Sequence, residues 1–357
     1  MISPSKAIYA LVLAGGSGQR FWPVSRDRTP KQLLALFDEK TLLEHTINRL
    51  EGVVPKENIL VLTNHQQLDG VLAALKNFPA ENIVAEPEKR DTAPAIALAI
   101  GWVAARDPEA IMMVLPSDHI IKDVASFQRT LITACDAARQ SGALVTIGIK
   151  PTWACPGYGY IERGEQHPMD GDIPVYEVKR FREKPDAKLA EHFIEQGNFS
   201  WNAGMFFWTV PAVCENLARQ CPELGLFVDE LKNSNDFSAT LKKTFPTLPK
   251  LSIDYALMEK APHALNVEAA FDWDDVGNWT SVGAYLETDA AGNQHNCVLS
   301  QIDAEKNLVF SRTDQHIALL GVQDLMVIST PDALLVAHRS QAEKLKKLVD
   351  GLPAHLR

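Results

Sequence analysis

The chain has 357 residues, 46% of them hydrophobic, with 35 basic against 45 acidic side chains and a formal net charge of −10. That length and apolar share suffice to bury a large core and predict a main domain with a smaller companion, while the acidic balance argues against a nucleic-acid binder, which carries a basic face. Five scattered cysteines (Cys135, Cys155, Cys214, Cys221 and Cys297), odd in number and without a CxxC pair, point away from a disulfide framework or a zinc site and toward reduced thiols in the cytoplasm.

No basic segment followed by an apolar run opens the chain, and the uncharged stretch from Ala93 to Ala105 is too short to span a bilayer, so neither a targeting leader nor a membrane partner is expected. Residues 7–13 form an apolar run that predicts a strand. It feeds a turn with glycines at 15, 16 and 18, where positive φ and close backbone approach let successive N–H groups face one anion. Arg20, Arg26, Arg28 and Lys31 follow, offset only by Asp27, a local positive excess of the kind phosphates call for. A dinucleotide fingerprint would need glycine where Phe21 stands, and a Walker A loop would need a Gly-Lys-Ser/Thr ending that is absent. On the residues alone, a phosphate cradle and a plain basic turn after a buried strand both fit.

Apolar runs at 58–62, 83–85, 111–115 and 143–149 predict further strands, separated by helical patterns at 41–50, 66–75, 92–105 and 126–141. Thr41 and Glu44 spell a capping box, and Pro94 falls in the first turn of the helix that begins near Thr92. The alternation predicts a Rossmann-like, three-layer α/β/α fold with a mixed, mostly parallel sheet. Ligands then belong at the carboxyl ends of the strands, where Gly15, Glu86 and Asp118 fall.

Glu86 suits a guanine base, whose N1–H and N2–H₂ groups lie side by side and are accepted together by one carboxylate, although an exposed glutamate at a strand end fits the pattern too. Asp118 follows an apolar strand and suits a hard cation held against phosphate oxygens, or an ordinary turn. His119 reads as packing, since Mg²⁺ prefers oxygen. Beyond residue 150, 176–182 alternates like a strand, 188–196 and 210–220 look helical, and 252–260 follows a break at Pro246 and Pro249. Short apolar runs at 308–310, 317–320, 325–329 and 334–337 then lead to an amphipathic helix at 340–349, so the expected division is 1–289 and 290–357.

Gly15-Gly16-Ser17-Gly18-Gln19-Arg20, followed by Pro23-Val24-Ser25-Arg26 and Pro30-Lys31-Gln32, resembles the signature of the sugar-1-phosphate nucleotidyltransferases, in particular the mannose-1-phosphate guanylyltransferases. The similarity continues along nearly the whole chain. It implies a nucleotidyltransferase domain with a small β-helix-like C-terminal unit, catalytic roles for Arg20 and Lys31, and nucleotide contacts from Ala14, Gly15, Gly16, Ser17, Gly18, Glu86, Thr92 and Ser117. It also implies Mg²⁺ held by Asp118 and by Asp275, which precedes Val276-Gly277. Asp274 stands where the family commonly has serine, and Lys89-Arg90-Asp91-Thr92 stands where the family usually has Gly-Arg-Asn-Thr.

Three middle motifs, Gly157-Tyr158-Gly159-Tyr160-Ile161, Phe181-Arg182-Glu183-Lys184-Pro185 and Trp201-Asn202-Ala203-Gly204-Met205-Phe206, resemble those that surround the hexose phosphate. From them the resemblance implies sugar-phosphate contacts by Gly159, Glu183, Lys184 and Asn202. The implied reaction joins GTP and mannose 1-phosphate into GDP-mannose, a polysaccharide precursor, and releases pyrophosphate. A homodimer is expected, and the lack of a His-x-His cluster predicts no isomerase activity. The same pattern also suits a guanylyltransferase for another sugar phosphate, such as a heptose 1-phosphate, or a non-catalytic regulatory subunit that binds nucleotide sugars.

Overall fold

A computed structural model describes residues 7–357. In chain order, the first part carries β1 (Ile8–Leu13), α1 (Leu42–Arg49), β2 (Ile59–Asn64), α2 (Leu68–Ala74), β3 (Ile83–Glu86), α3 (Thr92–Ala104), β4 (Ile111–Pro116), α4 (Val124–Ser141) and β5 (Leu144–Ile149). It continues through β6 (Tyr160–Gln166), β7 (Val175–Arg182), α5 (Ala187–Gln196), β8 (Phe199–Thr209), α6 (Val210–Gln220), α7 (Pro222–Lys232), α8 (Phe237–Thr244), α9 (Ile253–Ala256) and β9 (Ala264–Glu268). The predicted alternation is thus present up to residue 150, and the capping box forms, with Thr41 accepting from the Glu44 N–H and Glu44 reaching back to Thr41.

The nine strands form one sheet in the order β3-β2-β1-β4-β8-β5-β9-β7-β6. β1 to β4 are parallel neighbours, as are β5 and β9, while β8 runs against both β4 and β5, and β7 against β9 and β6. The sheet is therefore mixed, with β7 and β8 the two reversed strands. The Trp201-Asn202 segment lies within central strand β8, whose almost continuous apolar run is what a strand buried on both faces needs.

Helices cover both faces. One face packs Val12, Val61 and Met113 against Leu43, Val71 and Leu131; the other packs Leu11, Leu60 and Met112 against Ile100, Leu217 and Phe227. In α3 every residue from Ala93 to Ala104 is buried, which explains why this helix shows no polar stripe. No helix among the described residues is long and apolar enough to cross a membrane.

After α10 (Trp279–Val282) come β10 (Glu287–Thr288), β11 (Gln294–His295), β12 (Leu299–Ile302), β13 (Leu308–Ser311), β14 (Ile317–Leu320), β15 (Leu325–Ser329), β16 (Leu334–His338) and α11 (Leu345–Asp350). Leu308 pairs with Met326 and Leu299 with Ile317, both parallel and both eighteen residues apart, the stacking of a β-helix-like coil. The expected helix at 340–349 is instead a 3-10 segment, Arg339–Lys344, running into α11, with Ala342, Leu345 and Val349 buried. This unit shares a core with the glycine-rich region: Phe21, Trp22 and Leu34 pack with Trp279, Phe310, Leu345 and Val349.

Candidate active site

The glycine-rich turn is held by its carbonyls. Ala14 donates its N–H to the Leu62 carbonyl at 2.7 Å, and its own carbonyl accepts from Gln32 at 2.7 Å and from the Thr63 hydroxyl at 3.1 Å. Gln32 and Gln67 both donate to the Gly16 carbonyl, at 3.2 and 3.1 Å, and Ser25 donates to that of Gly18 at 2.8 Å. With these acceptors turned into the protein, the N–H groups of Gly15, Gly16 and Ser17 have no partner among the described residues and can face an anion. Gly18 has φ of 58°, and a Cβ there would stand 2.4 Å from the Lys31 nitrogen, so the turn and the lysine pack together only with glycine.

A cavity of about 350 Å³ opens beside this turn, lined by Ser17, Gly18, Arg20, Lys31, Asp118 and Asp275 among others. Lys31 is buried; its ammonium lies 2.9 Å from Asp118 Oδ2 and also donates to the main-chain carbonyl of Asp275. Burial pushes the Asp118 carboxyl up, but the Lys31 ammonium beside it outweighs this and holds the group below the usual carboxylate range. Burial raises Asp275, against the Tyr158 hydroxyl that donates to its Oδ1 at 2.7 Å.

Asp274 is used differently. Its carboxylate accepts from the Val276 N–H at 2.7 Å and from the Tyr285 hydroxyl at 3.0 Å, and its backbone bridges to Ile120. Of the acidic pair it is therefore the turn former, and Asp275 lines the cavity. Between them and Gly277, Val276 takes φ of 45°, a strained conformation for a β-branched residue that sets Asp275 in place. His119 accepts the Trp273 indole N–H at 3.1 Å on Nδ1, is pushed down to about 4 by burial and so is neutral, and lines the cavity.

A second cavity of about 320 Å³ meets the first at His119 and Asp275 and contains Thr92, Gly159, Glu183, Asn202 and Asp254. A Cβ on Gly159 would fall 2.5 Å from Glu183 Oε2, so glycine lets that carboxylate reach the cavity. Asn202 donates to Asp254 at 3.2 Å and accepts from Thr146 and from the Gly204 N–H, each at 3.1 Å. Burial, then Glu183, push Asp254 up to about 7. Sequence reasoning missed Asp254: its only local signal is Ser252, which caps α9 through the Tyr255 N–H, and nothing nearby spells a motif.

Several other expected residues already have protein partners. The Ser117 hydroxyl donates to the Leu13 carbonyl at 2.6 Å, and the Thr92 hydroxyl accepts from the Ile253 N–H at 2.9 Å, fixing the start of α9. Lys184, with φ of 43°, turns its exposed ammonium to Glu183 at 2.6 Å. Arg20 lines the first cavity but is half exposed and pairs with Glu343 at 3.2 Å. Arg26 is committed to Asp332 at 2.9 Å, away from the cavity. Glu86 ends β3, its carboxyl makes no hydrogen bond among the described residues, and burial pushes it up to about 8.

Residues 9–291 match the family model described as nucleotidyl transferase, and residues 298–352 the MannoseP isomerase/GMP-like beta-helix domain. A mannose-1-phosphate guanylyltransferase of Escherichia coli is 35% identical over 356 residues, 98% of this chain and 76% of that protein. The xanthan biosynthesis protein XanB of Xanthomonas campestris pv. campestris (strain B100) is 35% identical over 350 residues, 97% of this chain and 73% of its own. A solved structure from Thermus thermophilus, described as a mannose-1-phosphate geranyltransferase, superimposes with a TM-score of 0.84 at 33% identity, covering 96% of this chain and 98% of that one.

Proposed function

The chain belongs to the nucleotidyl transferase family, and from that premise we propose that it transfers GMP from GTP to α-D-mannose 1-phosphate, giving GDP-mannose and pyrophosphate. The observation that carries this reading is the meeting of the two cavities at Asp275: a glycine turn with free N–H groups, Lys31 and Asp118 on one side, and Glu183, Asn202 and Asp254 on the other. One side suits a triphosphate and the other a polyhydroxylated ring.

A sugar phosphate is already ionised at neutral pH, so the attacking oxygen needs no general base. It forms a bond to the α-phosphorus as the bond to the β-phosphate oxygen breaks, and pyrophosphate departs with that electron pair. The protein contributes position and charge. N–H groups of Gly15, Gly16 and Ser17 receive the phosphates, with Arg20 and Lys31 offsetting charge on the α-phosphate and the leaving group. Glu86 accepts from the guanine edge, while Glu183 and Asn202 take sugar hydroxyls, joined by Asp254. Lys184 turns from Glu183 to the sugar phosphate.

Asp118 and Asp275 are two hard oxygen donors on one cavity wall, a set that fits Mg²⁺, which binds through one or two carboxylates plus substrate phosphates. Bound there, the metal supplies charge neutralisation on the phosphate oxygens. We place the enzyme in the cytoplasm, supported by five free cysteines, with the domain boundary near residue 290. A homodimer is supported by exposed apolar residues on the C-terminal coil, Val298, Ile302, Leu320, Leu334 and Val336. The test is pyrophosphate release with GTP, ATP or UTP against mannose 1-phosphate, glucose 1-phosphate or a heptose 1-phosphate. Release confined to GTP with mannose 1-phosphate is expected; preference for another pair would move the substrate assignment, and GTP binding without any release would favour a regulatory subunit.

A further inference from the structure

Of the residues that line the phosphate cavity, Lys346 alone comes from beyond residue 290. It sits on α11, one residue after Leu345 and three before Val349, both buried in the core shared with Phe21 and Trp22. The Trp22 indole donates to the Leu356 carbonyl at 2.8 Å and the Trp279 indole to the Trp22 carbonyl at 3.0 Å, so the C-terminal segment is fastened to the loop that follows the glycine turn. The preceding turn supplies Glu343, which holds Arg20 at 3.2 Å and accepts from Asn278 at 2.7 Å.

Charge on the cavity wall is unevenly committed. Lys31 is paired with Asp118 and Arg20 with Glu343, whereas Lys346 has no ion-pair or hydrogen-bond partner among the described residues. An anion entering this cavity therefore finds one cation that it need not win from a carboxylate. We propose that Lys346 binds the terminal phosphates of the triphosphate, and the pyrophosphate formed from them, so that the C-terminal unit completes the catalytic pocket. The proposal rests on the reading of this cavity as the phosphate site. An ammonium on a short helix makes a point-charge contact, which an arginine at the same place also supplies.

The test compares binding of GTP with binding of GMP, which lacks the terminal phosphates, for the full chain and for Lys346→Gln, Lys346→Arg and Lys347→Gln. Lys346→Gln is expected to weaken GTP about tenfold and leave GMP within about twofold, with Lys346→Arg close to the unsubstituted chain. Lys347→Gln, which removes the same charge beside the cavity rather than on its wall, is expected to change neither. Equal loss of GTP and GMP, no loss of either, or the same loss in Lys347→Gln would overturn the assignment. Because the readout is binding, it is separate from the proposed reaction: absence of pyrophosphate release by the unsubstituted chain would sink the reaction and still leave the GTP-to-GMP ratio to decide Lys346.

Discussion

The Lys31 ammonium stands 2.9 Å from the Asp118 carboxylate and also holds the Asp275 carbonyl, so one buried cation ties the turn after β4 to the turn before α10. Each of these turns brings a carboxylate to the same cavity. Replacing Lys31 by methionine removes the cation and leaves the apolar stem. Loss of one charge-stabilising donor costs on the order of 10²–10³ in kcat, and that is the fall expected in steady-state assays, with a cooperative thermal transition retained.

Tyr158 positions Asp275 through the hydrogen bond from its hydroxyl. Tyr158→Phe deletes that bond and keeps the ring, which packs against Trp201 and Trp273. Losing such a supporting contact weakens metal affinity by about 10- to 100-fold. The expected result is a rise in the Mg²⁺ concentration needed for half-maximal rate, with the rate at saturating metal largely recovered. An unchanged metal requirement would show that Tyr158 does not act through Asp275.

Glu86 has a folded-state pKa raised to about 8 by burial, above its ordinary 4.5. Guanine donors favour the ionised form, so GTP binding releases a proton and strengthens as pH rises toward 8, by up to about tenfold per unit. Binding isotherms from pH 6 to 9 should show this slope for the unsubstituted chain and lose it in Glu86→Gln. The same shift has the opposite sign for folding. A raised carboxyl contributes stability that is fully present below its unfolded pKa and is lost as pH climbs to the folded value, so the ligand-free protein loses stability through Asp254 between pH 3.8 and about 7 and through Glu86 between pH 4.5 and about 8. Chemical denaturation across that range should show Glu86→Gln and Asp254→Asn with flatter profiles.

Gly18→Ala puts a methyl group 2.4 Å from the Lys31 main-chain nitrogen at a residue whose φ is 58°. Both the contact and the left-handed backbone resist it, and a loss of about 1–3 kcal/mol is expected together with reduced GTP binding. Gly15→Ala, where a Cβ meets nothing within 4 Å of the protein, should fold normally and weaken only the ligand. Equal thermal stabilities for the two variants would contradict this reading of the turn.

Much of this was legible in the sequence because the first 150 residues alternate in a regular way and the phosphate turn is local. Gly15 to Lys31 lie on one continuous segment, so the glycine spacing and nearby cations pointed to an anion site that the family resemblance then singled out. The reversed strand β8 was not legible, since a run buried on both faces has no period to read. Nor could local pattern show that Ser117 and Thr92 use their hydroxyls on Leu13 and Ile253, contacts made across more than one hundred residues. Asp254 and Lys346 reach the cavities only through tertiary packing. The different surroundings of Asp274 and Asp275 likewise come from contacts rather than pattern, since Tyr285 and the Val276 N–H engage the first while the second lines the cavity.

That distinction gives the most direct test of the account. Pyrophosphate release from GTP and mannose 1-phosphate with Mg²⁺ would be measured for the unsubstituted chain, Asp275→Asn and Asp274→Asn. Rapid release is expected from the first, a fall on the order of 10² or more in Asp275→Asn, and a rate within about tenfold of the unsubstituted chain in Asp274→Asn, whose amide oxygen still accepts from Val276. Equal losses in the two variants, an active Asp275→Asn enzyme, or no release by the unsubstituted chain would contradict it.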